Sequence, residues 1–146
     1  MRYAIHTLLS RTAHAQRNFL RPHLKELGLS PGQPKALREL AALGPLSQRE
    51  LAECCDVDPS AISRMVDSLE RGGFLSRKPA PQDRRSGRVE ITGRGRAALE
   101  DWDARCRVIE EQMLRGFTEE EREQLAGFLE RAYRNVGGRL GEGGVL

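Results

Sequence analysis

Apolar residues recur every three or four positions over residues 3–27, a spacing that lines one side of an α-helix. Ile5, Leu8 and Leu9 begin this row of side chains. Pro22 lies within the row and lacks the backbone N–H that a helix interior needs. The pattern therefore predicts a helix that Pro22 kinks or splits in two.

Capping signals predict the next two helices. Ser30 is a candidate N-cap, with a proline at the first helical position and Gln33 in place to complete a capping box. This helix should run through residue 43, where a Gly-Pro pair stops it. Ser47 and Glu50 have the spacing of a second capping box, which opens a short helix.

A third helix should follow a tight turn, with Asp58 as its N-cap and Pro59 at its first position, and should end at the paired glycines 72–73. Its periodicity turns Ile62, Leu69 and either Met65 or Val66 inward. Small and polar residues remain for the outward face: Ser60, Ala61, Ser63, Arg64, Asp67 and Ser68. Two short helices, a tight turn and such a face are typical of a helix-turn-helix.

A basic β-hairpin is predicted next. Residues 74–78 and 88–92 are strand-like, and residues 79–87 read as a polar loop with two prolines and a glycine. Residues 71–96 carry eight basic and two acidic side chains, whereas residues 97–146 carry seven basic and eleven acidic ones. The net charge of +3 over 146 residues hides this division, which favours the hairpin as a surface for DNA phosphates.

The helical period returns after the hairpin. Leu99, Trp102, Cys106, Ile109 and Met113 follow one another at steps of three and four, close to the pattern of a coiled coil. A third capping box at residues 118–121 opens a last helix. Its apolar positions are Leu125, Leu129, Ala132 and Val136. The predicted fold class is mainly α with a small β-hairpin wing.

Several of these segments, in this order, resemble the MarR family of bacterial winged helix-turn-helix transcription regulators. The matching residues are Leu51 and Ala52, residues 60–70, residues 73–75, the wing motif at residues 83–85, and residues 89–95. The resemblance implies a single MarR-like domain over residues 1–146. Within it, residues 1–29 would form an N-terminal dimerisation helix, 30–96 a winged helix-turn-helix lobe, 97–137 the C-terminal dimerisation helices, and 138–146 a flexible tail.

The resemblance also implies a homodimer on a pseudo-palindromic operator in double-stranded DNA. Half-sites should lie about one helical turn apart, roughly 10–10.5 bp, or a multiple of that. Independently, the terminal segments have more apolar stripes than one small lobe needs to cover itself. The expected dimer interface comprises Ile5, Leu8, Leu9, Trp102, Ile109, Met113, Leu125, Leu129 and Val136. We expect a repressor released by a small-molecule effector, whose identity and pocket residues the sequence leaves open.

The expected DNA contacts lie on both motif helices and on the wing. They are Ser47, Gln48, Ser60, Ala61, Ser63, Arg64, Arg77, Arg84, Arg85 and Arg88. Arg64 can bond a guanine or a phosphate, and Arg85 matches the family arginine expected to enter a minor groove. Asp83 is expected to organise the wing rather than to touch DNA. Asp67 is expected to pair with a wing arginine, and the sequence does not choose which.

Two other functions remain alternatives. One is a thiol-based redox regulator, although Cys54, Cys55 and Cys106 are read first as small buried hydrophobes. The other is a winged-helix module that binds acidic protein instead of DNA.

Other classes of protein lack support in the sequence. His6, His14 and His23 do not have metal-ligand spacing, although they could line an effector pocket, and no metal site or cofactor is expected. Motifs of phosphate-binding loops, metalloproteases and hydrolases are missing, so we expect no enzyme. Apolar runs fall far short of the roughly 20 residues that span a bilayer. A cytoplasmic protein is therefore expected.

Overall fold

Helices make up most of the chain, and three short strands form one sheet. The computed structural model describes residues 2–80 and 83–139, without the side chains of residues 80 and 83–86. In that part of the chain the elements are α1 (Ile5–Leu27), α2 (Gln33–Leu43), β1 (Leu46–Ser47), α3 (Gln48–Cys55), α4 (Pro59–Arg71), β2 (Leu75–Ala80), β3 (Asp83–Ile91), α5 (Gly93–Met113) and α6 (Glu119–Asn135). The predicted fold class is confirmed. The chain divides into two compact units, Met1–Ile109 and Glu110–Leu146.

Helix α1 is continuous through Pro22, so of the two predicted outcomes, a kink or a split, the split is wrong. Leu20 and Leu24, on either side of Pro22, are both buried. Burial of these two side chains, at about 1.5–3 kcal/mol each, offsets the loss of one backbone hydrogen bond at the proline. Gly28 then ends the helix in the left-handed region, with φ of 76°.

Helix α2 begins at Gln33, two residues later than its predicted start. Gly32 precedes it with φ of 86°, a left-handed conformation that residue 32 could not adopt inside a helix. Ser30 is therefore not the N-cap. One of the two hydrogen bonds of the expected capping box is present: the backbone N–H of Ser30 donates to Oε1 of Gln33 at 2.8 Å. Gly44 follows the helix, as predicted.

Helices α3 and α4 form the predicted helix-turn-helix. The Ser47 hydroxyl accepts the backbone N–H of Glu50 at 3.1 Å and caps α3. Asp56 ends α3 with φ of 54°. Asp58 stands at the N-cap position of α4, but its carboxylate makes no capping hydrogen bond, which corrects the role expected of it. The first turn of α4 therefore keeps unpaired N–H groups.

The sheet is larger than the predicted hairpin. Strand β3 lies between β1 and β2 and pairs antiparallel with both. Strand β1 escaped prediction because two residues carry no periodicity, yet Leu46 pairs with Val89 and is buried. Strands β2 and β3 extend into the predicted loop, as far as the pair of Ala80 with Asp83. A register shift between Lys78 and Ala80 accommodates Pro79, which has no N–H to donate.

The core of the first unit joins the helix-turn-helix to the sheet and to α5. Leu37, Leu51, Val66 and Leu69 are fully buried there, and Trp102 packs partly buried against them. In the second unit, Thr118 and Glu121 form the predicted capping box at the start of α6. Its two hydrogen bonds measure 3.2 and 2.8 Å. The predicted tail has residues 140–146 outside the described part of the chain.

Candidate nucleic-acid interface

Helix α4 presents a small and polar face opposite its buried one. Ile62, Val66 and Leu69 are at most 1% exposed, whereas Ser60 and Arg64 are exposed. Ala61 and Ser63 are half-buried at its edge. Because short side chains let the helix backbone approach base edges, the whole face can enter a major groove.

Arg64 is the free cation of this face. Its guanidinium makes no ion pair or hydrogen bond with any residue among those described, so all five of its N–H donors face solvent. An arginine in that state can donate two parallel hydrogen bonds to a guanine or a phosphate without first breaking an internal pair.

Arg77, on β2, connects the wing to α4. Its Nη2 contacts Oδ1 of Asp67, and its Nε lies 3.9 Å from Oε1 of Glu70. Among the wing arginines whose side chains the structure describes, Arg77 is therefore the one that pairs with Asp67. Arg77 and Asp67, expected respectively to bind DNA and to organise the wing, meet in one ion pair that lowers the negative charge at the edge of α4.

The base of the wing is fastened by two further polar contacts. Nη1 of Arg88 donates to the backbone carbonyl of Pro45 at 3.2 Å, and Lys78 pairs with Glu90 at 2.8 Å. Arg88 remains exposed despite this hydrogen bond, so its guanidinium keeps donors for a phosphate. The side chains of Asp83, Arg84 and Arg85, also predicted for the wing, lie outside the described residues.

The N-terminus of α3 offers a second kind of contact. Gln48 is half-buried at its first turn, and Ser47 precedes it. The oxygen of the Ser47 hydroxyl accepts the capping hydrogen bond, which leaves its O–H available to donate to a phosphate. Unpaired N–H groups and the helix dipole at this end of α3 also favour an anion.

Two long-range contacts were missed by sequence reasoning. Gln33 on α2 donates from Nε2 to the Ser68 hydroxyl on α4 at 3.1 Å. Arg38 on α2 forms a half-buried ion pair with Asp103 on α5. The sequence pattern indicated only a local capping role for Gln33. The partners of the two contacts are 35 and 65 residues apart in the chain, and contacts at such distances leave no periodic pattern in the sequence.

The thiols near the motif do not have the chemistry of a sensor. Burial raises the pKa of the Cys55 thiol to about 11, and burial together with Glu39 raises that of Cys54. The thiolate is the reactive form, so both shifts disfavour oxidation near neutral pH. A nearby cation can stabilise a thiolate, but Arg49, on the same helix as both cysteines, pairs with Glu53 at 3.5 Å.

Among the described residues, no cluster of three or more His, Cys, Asp and Glu side chains could hold a metal ion. In the same part of the chain, no helix has the length and apolar character needed to span a membrane.

A helix-turn-helix followed by a basic wing defines the class of winged helix-turn-helix DNA-binding proteins. The model of the MarR family matches residues 29–86. A MarR-family transcriptional regulator from Silicibacter pomeroyi is 30% identical, with 92% of this chain and 90% of that chain covered and a TM-score of 0.72. The crystal structure of MarR is 28% identical, with 92% of this chain and 98% of that chain covered and a TM-score of 0.78. YusO from Bacillus subtilis is 28% identical, with 89% of this chain and 92% of that chain covered and a TM-score of 0.72.

The chain therefore belongs to the MarR family, which confirms the resemblance found in the sequence. It is a DNA-binding transcriptional regulator.

Proposed function

We propose that this protein is a homodimeric repressor that reads a pseudo-palindromic operator with α4 and its wing. The observation that carries the proposal is the exposed face of α4, where Arg64 has no partner among the described residues while Arg77 pairs with the adjacent carboxylate of Asp67. Arg64 and the small residues around it would contact base edges. Arg88, Arg84 and Arg85 would contact phosphates or a minor groove, and Ser47 and Gln48 the backbone across the groove.

Selection of bound sequences from a random duplex library tests the proposal. The expected result is a palindrome whose half-sites lie about 10–10.5 bp apart or a multiple of that. Arg64→Ala should then weaken binding of the selected duplex by about 1–3 kcal/mol. Arg107→Ala is the matched control, because Arg107 is also exposed but lies on α5 away from the motif. Equal affinities for the two variants would contradict the assignment of α4.

Self-association is supported by exposed apolar side chains on the terminal helices. Ile5 and Val136 are each 83% exposed, and Leu8, Leu9, Met113 and Leu129 are also exposed. Trp102 and Leu125 are half-buried and Ile109 is buried, so these three would contribute less new contact area. Exposed apolar surface of this kind is typical of an interface.

Light scattering tests the dimer, with an expected mass twice the 16.4 kDa of the chain. Leu9→Asp should shift the mass toward the monomer, because a carboxylate at a subunit contact is costly to bury. Leu43→Asp is the control, since Leu43 is similarly exposed but lies at the end of α2, outside the proposed interface. A monomeric wild-type protein would overturn this part of the proposal.

An effector that releases DNA must bind the DNA-free arrangement of the dimer more tightly than the bound one. A cleft of about 390 Å³ between α1 and α5 is the candidate site. His23, Glu26, Asp101 and Arg105 give it polar groups of both charges. Screening small molecules for release of the selected duplex would identify the effector, and cleft variants that leave release unchanged would exclude this site.

A further inference from the structure

Gln33 is the one polar or charged side chain that is buried among the described residues, with 4% of its surface exposed. Both ends of its amide are bonded. Oε1 accepts the backbone N–H of Ser30 at 2.8 Å, and Nε2 donates to the Ser68 hydroxyl at 3.1 Å. A buried amide costs free energy unless it is hydrogen-bonded in this way, so these two bonds fix where the side chain can lie.

The same turn approaches α4 at a second point. A Cβ added to Gly32 would lie 3.4 Å from Cε of Met65, and the φ of 86° at Gly32 already disfavours any other residue. The turn before α2 therefore leaves no room for a larger residue beside Met65 of α4. Gln33, at the start of α2, supplies the directional hydrogen bond to the same helix.

Ser68 lies one helical turn after Arg64. The buried side chains of α4 hold the helix against the core, but apolar contacts have little directional preference and permit small rotations about the helix axis. A hydrogen bond loses strength when its angle departs from linearity, so the bond from Gln33 restricts that rotation. Contacts to base edges need side chains placed within about 0.5 Å and 10–20°.

We infer that Gln33 is a positioning residue for DNA reading: through Ser68 it sets the rotation of α4 and so the placement of Arg64. This inference rests on the proposed function of α4 as the helix that reads bases. It predicts a loss of discrimination between duplexes rather than a uniform loss of binding, because Ser47 and Arg88, expected to contact phosphates, are held by bonds to Glu50 and Pro45 and not by α4.

Gln33→Met tests the inference, since methionine has a similar length but cannot form either hydrogen bond. Ser68→Ala removes the same interhelical bond from the α4 side, and it carries the test if Gln33→Met does not fold. Ser68→Thr keeps the hydroxyl and serves as the rescue. Gln112→Met is the matched control, because Gln112 is exposed on α5. Affinities for the duplex selected by the wild-type protein and for a scrambled duplex of equal composition are measured at one salt concentration.

Gln33→Met and Ser68→Ala should each lower the ratio of selected to scrambled affinity about three- to tenfold, in line with the loss of one net hydrogen bond. The double variant should be no worse than either single one, and Ser68→Thr and Gln112→Met should keep the wild-type ratio. A ratio within twofold of wild type in both single variants, even with a lower melting temperature, would reduce Gln33 to a stabilising residue and overturn the inference.

The wild-type protein separates the two proposals. If it selects a sequence and the variants keep the ratio, the positioning role fails while the proposed function stands. If it selects none, the proposed function fails, and positioning for base reading fails with it. Amide hydrogen exchange then shows whether the bond still orders the helix, through faster exchange in α4 of Ser68→Ala than of Ser68→Thr.

Discussion

Arg77→Ala examines whether the wing and α4 act as one electrostatic unit. The substitution removes the cation that contacts Asp67 and lies 3.9 Å from Glu70, and it leaves both carboxylates without their described partner. Arg77 and Asp67 are 42% and 51% exposed, so the pair is screened by solvent. The free energy of unfolding should therefore fall by only about 0.2–1 kcal/mol.

Arg77→Ala should also weaken DNA binding, because the uncovered carboxylates repel phosphates. A carboxylate about 8 Å from a phosphate costs roughly 0.5 kcal/mol in water, and salt reduces this further. Two uncovered carboxylates thus weaken binding by about 0.5–1 kcal/mol, or roughly two- to fivefold. Asp67→Ala has the opposite sign, because it removes one of these charges and frees Arg77 for phosphate.

Fluorescence anisotropy with a duplex at several salt concentrations measures these affinities, and urea denaturation measures stability. Arg77→Ala should weaken binding, and the double variant Arg77→Ala/Asp67→Ala should recover about half of the loss. Since residues in contact give non-additive effects, the two substitutions should be coupled. A double variant that binds as weakly as Arg77→Ala, or more weakly, would refute the reasoning.

Three other predictions concern stability. Gly95→Ala should lower the free energy of unfolding by about 1–3 kcal/mol or more, because its Cβ would lie 2.1 Å from the backbone carbonyl oxygen of Phe74. In the control Gly127→Ala the new Cβ meets nothing within 4 Å, so its free energy of unfolding should rise by about 0.5–1 kcal/mol, and equal melting temperatures of the two variants would contradict the prediction. Burial raises the pKa of the Cys55 thiol from 9.0 to about 11, so its contribution to the free energy of unfolding is intact below pH 9 and is lost as pH rises toward 11, by at most about 1.4 kcal/mol per pH unit. The difference in free energy of unfolding between wild type and Cys55→Ala, measured by urea denaturation, should shrink over that pH range, and a constant difference would count against the prediction. Arg38→Ala and Asp103→Ala should each lower the free energy of unfolding by about 1 kcal/mol, a value already reduced for the partial exposure of the pair. A double-mutant cycle without coupling would show that the ion pair does not contribute to stability.

Local signals in the sequence predicted most of the elements. The side-chain caps at Ser47 and Thr118 work within three residues of the chain, so a local pattern could predict them. The same spacing at Ser30 gave no N-cap, because Gly32 takes a left-handed conformation there. The predictions that were wrong, the start of α2 and the split of α1 at Pro22, depended on tertiary structure. Helix α1 is continuous through Pro22 because leucines on both sides are buried, and α2 starts late where Gly32 takes a left-handed φ of 86° and Gln33 bonds to Ser68 of α4.

The candidate site was predictable by residue type but not by partner. Periodicity placed Arg64 and Asp67 outward and Ile62 inward on α4 without any knowledge of the fold. The choice of Arg77 for Asp67 depends on how far β2 runs back along α4, and that distance is fixed only when the sheet forms. Strand β1 is the same kind of case, because two residues become a strand only when β3 lies beside them.

The pairing of charges also changes what the basic segment contributes to DNA binding. Its eight basic residues suggest up to eight phosphate contacts for each lobe, but Arg77 and Lys78 already have carboxylate partners on α4 and β3. When such a cation moves from its carboxylate to a phosphate, it displaces one counterion from the DNA. The carboxylate that it leaves attracts a cation from solution in return, so the net release of counterions is zero. Arg77 then fixes the wing against α4, Lys78 links the two strands of the wing, and both keep acidic side chains from repelling the duplex. Net attraction falls to the cations without such partners, Arg64 foremost, so the count of basic residues overstates the expected salt dependence by about two contacts for each lobe.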